Sequence, residues 1–490
     1  MTARDAIPEL SALSDTALNK HISQQWDDDI VGRITDYIKV PAKSPGFDDK
    51  WEDHGYLQHV VEEAKAWVEK QHVNGLQIQI IKEKGRTPVI FFDIPATGGL
   101  ANERTVLLYG HLDKQPEMTG WVPGYGPWQP RLVDDKLYGR GSADDGYAIY
   151  AAIGAILALD DQKTPRPRCV GLIETDEESG SSDLPYYLDM LAPHMGDVQL
   201  VIALDSGAGN YDQLWVTTSL RGLVIGTLKV GVLTEGVHSG DAGGVVPSSF
   251  RIARQILDRV DDSRTGVVKP DVFNCDIPAE RVAQAAQAAE ILGDSMWKRF
   301  PWDSCCSDGG SRIFVEPTTK DPVELILNRT WRAALAVTGA EGLPPILSGG
   351  NVQRPYTSLK LSLRIPPLVD GHAAYTAMKE LLEKNPPNNA TVSFEGDGAT
   401  GWNAPPLSNW LSPLLNVASE TFFGKPAAFM GEGGTIPFMG MLGAKFPNAQ
   451  MLVTGVLGPK SNAHGPNEFL HVPYAKKVTA ATAMVIAGVR

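Results

Sequence analysis

Up to about residue 215 the chain alternates between two hydrophobic periods. Segments 22–38 and 56–70 carry apolar residues at helical spacing, whereas 89–94, 106–109, 170–173 and 200–204 are short apolar runs that read as strands. Nearly continuous apolar strands separated by helices predict an α/β fold with a mostly parallel sheet flanked by helices on both faces. From Leu214 the pattern changes. A long apolar run at 220–230 is followed by a helix expected at 248–260, proline-rich loops and an alternating strand at 356–364. After a short strand at 391–394 the first pattern returns, with a helix near 407–421 and a closing helix after Val472.

Five segments along the chain end in acids or histidine. Leu107 to Tyr109 run into Gly110-His111-Leu112-Asp113, and alternation along a strand puts His111 and Asp113 on one face. The others are Gly139-Arg140-Gly141-Ser142-Ala143-Asp144-Asp145-Gly146, Ile173-Glu174-Thr175-Asp176-Glu177-Glu178-Ser179-Gly180, Leu204-Asp205-Ser206-Gly207 and Asn462-Ala463-His464-Gly465-Pro466-Asn467-Glu468. They converge only if they share one edge of one sheet, which is where α/β proteins place their chemistry. Carboxylates crowded there repel one another unless a cation neutralises them. Taken alone, Asp176-Glu177-Glu178 would be a solvated acidic turn; beside the other four endings it reads as part of a metal site. Two histidines with three or more carboxylates and no cysteine suit one or two divalent ions, zinc first and manganese or cobalt next.

With these motifs in this order, the chain resembles the di-zinc metallopeptidases that include carnosinase-type dipeptidases, aminoacylase, succinyl-diaminopimelate desuccinylase and glutamate-releasing carboxypeptidases. The resemblance runs from about residue 25 to the C-terminus. It implies that His111 binds one metal and that Asp113 orients that imidazole, whose second nitrogen needs an acceptor. Asp144 would bridge both ions, through a residue joined to Asp145 by a cis peptide bond. Asp205 would complete the ion of His111, and Glu178 with His464 would bind the other. Glu177 would be the general base. One departure is visible: many members carry Lys-Gly after the paired aspartates, where this chain has Gly146-Tyr147. That lysine is not a metal ligand in the family.

Because His464 must join ligands from the first half, 217–398 reads as an inserted α+β domain, with 1–216 and 399–490 forming a discontinuous catalytic domain. The resemblance implies that the insertion is a lid and dimerisation domain. Within the insertion, the resemblance assigns His238, in the glycine-rich loop 235–244, to the developing oxyanion, often from the neighbouring subunit. Arg364 alternates with Leu361 and Leu363. It is either a bidentate clamp on a substrate carboxylate, matching the family's Ser-x-Arg strand, or a surface arginine on a half-exposed strand. Asn351, after two glycines, is a candidate for carbonyl contact. Gly433 and Gly434, in the loop 431–435, resemble the family's glycine-rich substrate loop and equally any tight turn before a helix.

A chain of 490 residues with 43% hydrophobic content can bury large cores in two or more domains. A net charge of -14 without a basic patch argues against a nucleic-acid surface. The first eight residues lack the apolar core of a secretory signal and no run approaches a membrane span, so a cytoplasmic protein is expected. Four cysteines, Cys169, Cys275 and the adjacent Cys305 and Cys306, fit a reducing compartment and read as structural or incidental. No Gly-x-Ser-x-Gly elbow supports a serine hydrolase, and a silent relative would have no reason to retain Glu177. The resemblance thus implies a homodimeric, metal-dependent hydrolase of an amide bond beside a free carboxylate, in a dipeptide or C-terminal peptide. In it a metal-bridged hydroxide attacks the carbonyl and Glu177 shuttles the proton. An N-acyl amino acid amidohydrolase sharing every ligand is the alternative.

Overall fold

The computed structural model describes residues 4–306, 312–435 and 437–489. Residues 1–3 of the N-terminal stretch and the side chain of Cys306 lie outside them. Two compact units are present, one of Met1–Thr217, Ala404–Met430 and Met441–Arg490, the other of Thr218–Asn403 and Gly431–Gly440.

In the first unit Leu18, Ile22, Trp26, Ile30, Ile34 and Ile38, spaced by four, are all fully buried. A repeat of four outruns the 3.6-residue turn, so a straight α-helix would carry this stripe around its axis by about 40° per step. Between helices α1 (Asp15–Gln25) and α2 (Val31–Ile38), the turn Trp26–Ile30 is π-helical, and its wider winding takes up the drift. The helical segment begins at Asp15 rather than at 22, because Ser14 caps it by accepting the Ala17 N–H. Its first two turns bury only Leu18 and Ile22, too little for hydrophobic spacing to reveal.

Further helices are α3 (Tyr56–Lys70), α4 (Ala148–Asp161) and α5 (Val472–Ala487). Almost all of α4 and α5 is buried, as expected of helices that are apolar on every side. They flank a six-stranded sheet of β1 (Gln77–Ile81), β2 (Val89–Ile94), β3 (Arg104–His111), β4 (Arg168–Glu174), β5 (Asp197–Ala203) and β6 (Gln450–Val453). The spatial order is β1-β2-β4-β3-β5-β6. Strand β3 runs parallel to β4 and β5, and β6 parallel to β5. Strand β2 alone is reversed relative to the other five, since the 82–88 link to β1 is too short for a crossover. Strands β3 and β4 are buried almost end to end, which is why both read as continuous apolar runs.

The second unit holds a four-stranded antiparallel sheet in the order Ala334–Glu341, Tyr356–Ile365, Gly222–Gly231, Thr391–Ala399. Its helices Ser249–Leu257 and Gly371–Glu383 share a core with the sheet, built on Val224, Leu228, Ile252, Ile256, Leu361, Met378 and Phe394. Residues 431–440 belong to this unit, not to the catalytic part in which the sequence reading places them. Hydrogen bonds explain it: Arg221 Nε donates to Gly433 O at 3.2 Å and Thr435 Oγ1 to Arg221 O at 2.6 Å. Cys169, Cys275 and Cys305 are free thiols. No helix among the described residues is long and apolar enough to cross a membrane.

Gly171 of β4 lies opposite the fully buried Phe92 of β2, and a Cβ at Gly171 would stand 2.0 Å from two ring carbons. Gly171→Ala should therefore lower stability by about 1–3 kcal/mol through overpacking. Urea unfolding checks this. Adding Phe92→Leu should recover part of the loss, whereas an unchanged midpoint in Gly171→Ala would contradict the contact.

Candidate metal centre

Because β3, β4 and β5 are parallel, their carboxyl ends open on one edge of the sheet. His111 is the last residue of β3, the turn Glu177–Ser179 follows β4, and Asp205 lies just beyond β5. Asp144 precedes α4, joined to Asp145 by a cis peptide bond as the resemblance implies. His464 comes from the loop between β6 and the short strand Phe469–His471. All belong to the first unit.

The side chains form two groups that share one member. His111, Asp144 and Asp205 make one, and Asp144, Glu178 and His464 the other, with the ligand atoms of each within 4.8 Å of one another. Asp144 turns its two oxygens in different directions: Oδ1 lies 3.3 Å from His111 Nε2, and Oδ2 lies 3.0 Å from His464 Nε2. His111 Nε2 is 3.8 Å from Asp205 Oδ2, and His464 Nε2 is 3.3 Å from Glu178 Oε2. His111 Nε2 is buried without a hydrogen-bond partner and faces the carboxylates of Asp144, Asp205 and Glu177. Imidazole nitrogen and carboxylate oxygen are the donors that zinc and its neighbours take, so the residues fit a pair of divalent cations.

Asp113, fully buried, ties two strand ends together. Its Oδ1 is 3.3 Å from His111 Nδ1, and its two oxygens accept the backbone N–H of Glu177 at 3.2 Å and of Glu178 at 2.9 Å. One carboxylate thus orients the imidazole and the paired glutamates together. Gln115 Nε2 donates to Glu178 Oε2 at 2.6 Å. Asp145 Oδ2 accepts the His111 N–H at 3.2 Å.

Electrostatics support a cation here. Burial and the nearby Asp144 push the Glu178 carboxyl up to about 8, and burial, with Asp144 adding to it, pushes Asp205 up to about 7. Burial and Asp205 raise Glu177 well above the usual carboxylate range. Burial works against charge on His464, but Asp144 and Glu178 hold it up to about 9. Burial also opposes ionisation of Asp144, yet the two histidines hold it low. Each carboxylate disfavours charge on the next, and a cation lodged among them reverses that penalty.

A family model described as Peptidase family M20/M25/M40 matches residues 107–487, a span that contains every one of these side chains. The chain belongs to this family. It is accordingly a peptidase, an enzyme that hydrolyses amide bonds. A cysteinylglycine-S-conjugate dipeptidase from Corynebacterium striatum is 24% identical over 388 residues, 76% of this chain and 79% of that protein. A Cys-Gly metallodipeptidase from Candida albicans is 24% identical over 469 residues, 90% of each. The crystal structure of human carnosine dipeptidase 1 has the same fold, with a TM-score of 0.75 at 18% identity over 97% of this chain and 98% of that one.

The other expected site residues of this family member lie in the second unit. His238 is exposed at the end of the short strand Val237–His238, which pairs with Val352–Gln353, and its Nδ1 accepts the Gly240 N–H at 3.1 Å. Asn351 is its neighbour there, accepting the Ser239 N–H on its carbonyl at 2.9 Å. Arg364 is half-buried, with Nη1 donating to Thr435 Oγ1 at 2.7 Å, and burial pushes its pKa down. Gly433 accepts from Arg221 and Gly434 is exposed.

Sequence reasoning left Gln115, Arg140 and Glu468 without roles, although each lies inside or beside a quoted motif. Their type and position were visible; their partners, up to 328 residues away, were not. In the metal-loaded protein, elemental analysis should find two ions per chain, one in Asp205→Ala and fewer than one in Asp144→Ala, which belongs to both groups. An Asp144→Ala protein that still holds two ions would remove Asp144 as the shared ligand.

Proposed function

We propose that the chain is a metal-dependent dipeptidase holding two divalent ions, zinc by preference. The carrying observation is the shared Asp144, whose oxygens face His111 on one side and His464 on the other. Dipeptides are the substrates favoured because both curated relatives are named for dipeptide hydrolysis. The absence of any cysteine from the ligand groups, together with their nitrogen and oxygen donors, favours zinc over softer ions. When bound, the ions polarise the scissile carbonyl and lower the pKa of the attacking water.

Glu177 is the proposed general base. Burial and Asp205 hold its carboxyl well above the usual carboxylate range, which suits a group that must take a proton and give it back. Its backbone is held by Asp113, and its Oε2 is 3.9 Å from His111 Nε2. It removes the proton of the attacking water and returns it to the leaving amine. In the reading proposed here, Arg364 pairs bidentately with the free carboxylate of the substrate. Asn351 and the backbone of Gly433 and Gly434 orient the carbonyl and carboxylate. His238 donates to the oxyanion from the partner subunit of a homodimer formed through 217–398, in a cytoplasmic enzyme.

Glu177→Gln should keep two ions and lose turnover by about a hundred- to ten-thousand-fold, because only the proton shuttle is removed. Assays run on a panel of dipeptides and N-acyl amino acids test enzyme and substrate class together. Near wild-type turnover in the variant would remove Glu177 as the base, and preference for N-acyl amino acids would replace the dipeptidase reading.

His238→Ala should bind metal normally and lose about a hundred- to a thousand-fold in turnover, the scale for one oxyanion donor. Mixed with Glu177→Gln under subunit exchange, it should regain activity, because one site of each mixed dimer is then intact. No recovery despite demonstrated exchange would rule out action across the dimer.

A further inference from the structure

Arg140 and Glu468 form an ion pair at 2.7 Å whose side chains are 1% and 0% exposed. Every nitrogen of the Arg140 guanidinium and both oxygens of Glu468 have a partner. Glu468 Oε2 takes Arg140 Nη1, while Oε1 accepts three backbone N–H groups, from Gly141 at 3.0 Å and from Ala143 and Asp144 at 3.3 Å. Three amides of one short loop converging on one oxygen fix the loop that presents Asp144. Arg140 reaches the other way. Its Nη2 donates to His464 O at 3.0 Å and Gly465 O at 2.9 Å, and its Nε to Pro116 O at 3.2 Å. His464 has a φ of 64°, in the left-handed region that a histidine occupies only when its surroundings hold it there.

A buried ion pair adds little stability over well-packed apolar groups, because desolvation opposes the attraction. What this one supplies is position. Asp144 belongs to both ligand groups, whereas His464 belongs to one. We propose that the Arg140–Glu468 pair is the positioning element of the metal centre, with Glu468 setting Asp144 for both ions and Arg140 setting His464 for one ion alone. Neither residue is in a ligand group; both act through the backbone of residues that are. The inference rests on the ligand assignment above and adds that the two ions respond unequally to a change at Arg140.

Full-length protein stripped of metal and titrated with Co2+ tests it, by calorimetry and by the visible absorption of the bound ion. Wild type should take up two equivalents. Arg140→Lys keeps a positive charge for Glu468 but replaces the three-nitrogen fork by one ammonium, which cannot reach Glu468 and the carbonyls of Pro116, His464 and Gly465 together. One equivalent should therefore bind as in wild type and the other about 10- to 100-fold more weakly, with an altered spectrum. Glu468→Gln keeps the shape and loses the charge, and should weaken both equivalents. Near-ultraviolet circular dichroism verifies the fold of each variant. Unchanged binding of both ions, or equal weakening of both, in Arg140→Lys overturns the proposal. So, independently, does unchanged binding in Glu468→Gln. Fewer than two equivalents in wild type would remove the ligand assignment itself, and the inference with it.

Discussion

Repulsion among buried acids governs this molecule more than any other interaction. Asp113, Asp144, Asp145, Glu174 and Asp205 are all nearly inaccessible to water, and Glu177 and Glu178 crowd the same edge. In a medium that screens poorly, that many carboxylates within a few ångströms can stay ionised only if something positive sits among them or hydrogen bonds hold each in place. The structure supplies the second provision from its own atoms. Asp113 takes two backbone amides, Glu468 takes three, and Glu174 is held by the hydroxyls of Tyr109 and Ser181. The first provision could be met by a cation among His111, Asp144, Asp205, Glu178 and His464, which form two groups able to hold one.

The sheet exists in this form to deliver those groups. Parallel strands align their carboxyl ends, and burial of both faces keeps them rigid, so three consecutive strand ends present chemistry at fixed separations. Loops bring the remaining two candidate ligands, Asp144 and His464. Each is anchored by a residue that does no chemistry itself: Glu468 for the Asp144 loop, Arg140 for the His464 loop. Site and scaffold are therefore coupled through backbone hydrogen bonds, not through side-chain packing alone.

Much of this was legible in the amino-acid order. Strands β3, β4 and β5 announced themselves as apolar runs because both faces are covered, and the acids after them could not be explained as surface turns. The start of α1 was missed, because its first turns bury little and its signal is a single capping serine. The reversal of β2 depends on the length of one link, and the affiliation of 431–440 on hydrogen bonds to Arg221. Arg140 and Glu468 stood in plain view within their motifs, yet a pairing across 328 residues has no local signature.

The central claim is that one carboxylate, Asp144, is shared by two cations held at the ends of three parallel strands. Anomalous diffraction at the zinc absorption edge, from crystals of zinc-loaded protein, tests it most directly. The account predicts two peaks per chain, one enclosed by His111, Asp144 and Asp205, the other by Asp144, Glu178 and His464. A single peak, or a second one not bounded by Asp144, would contradict it.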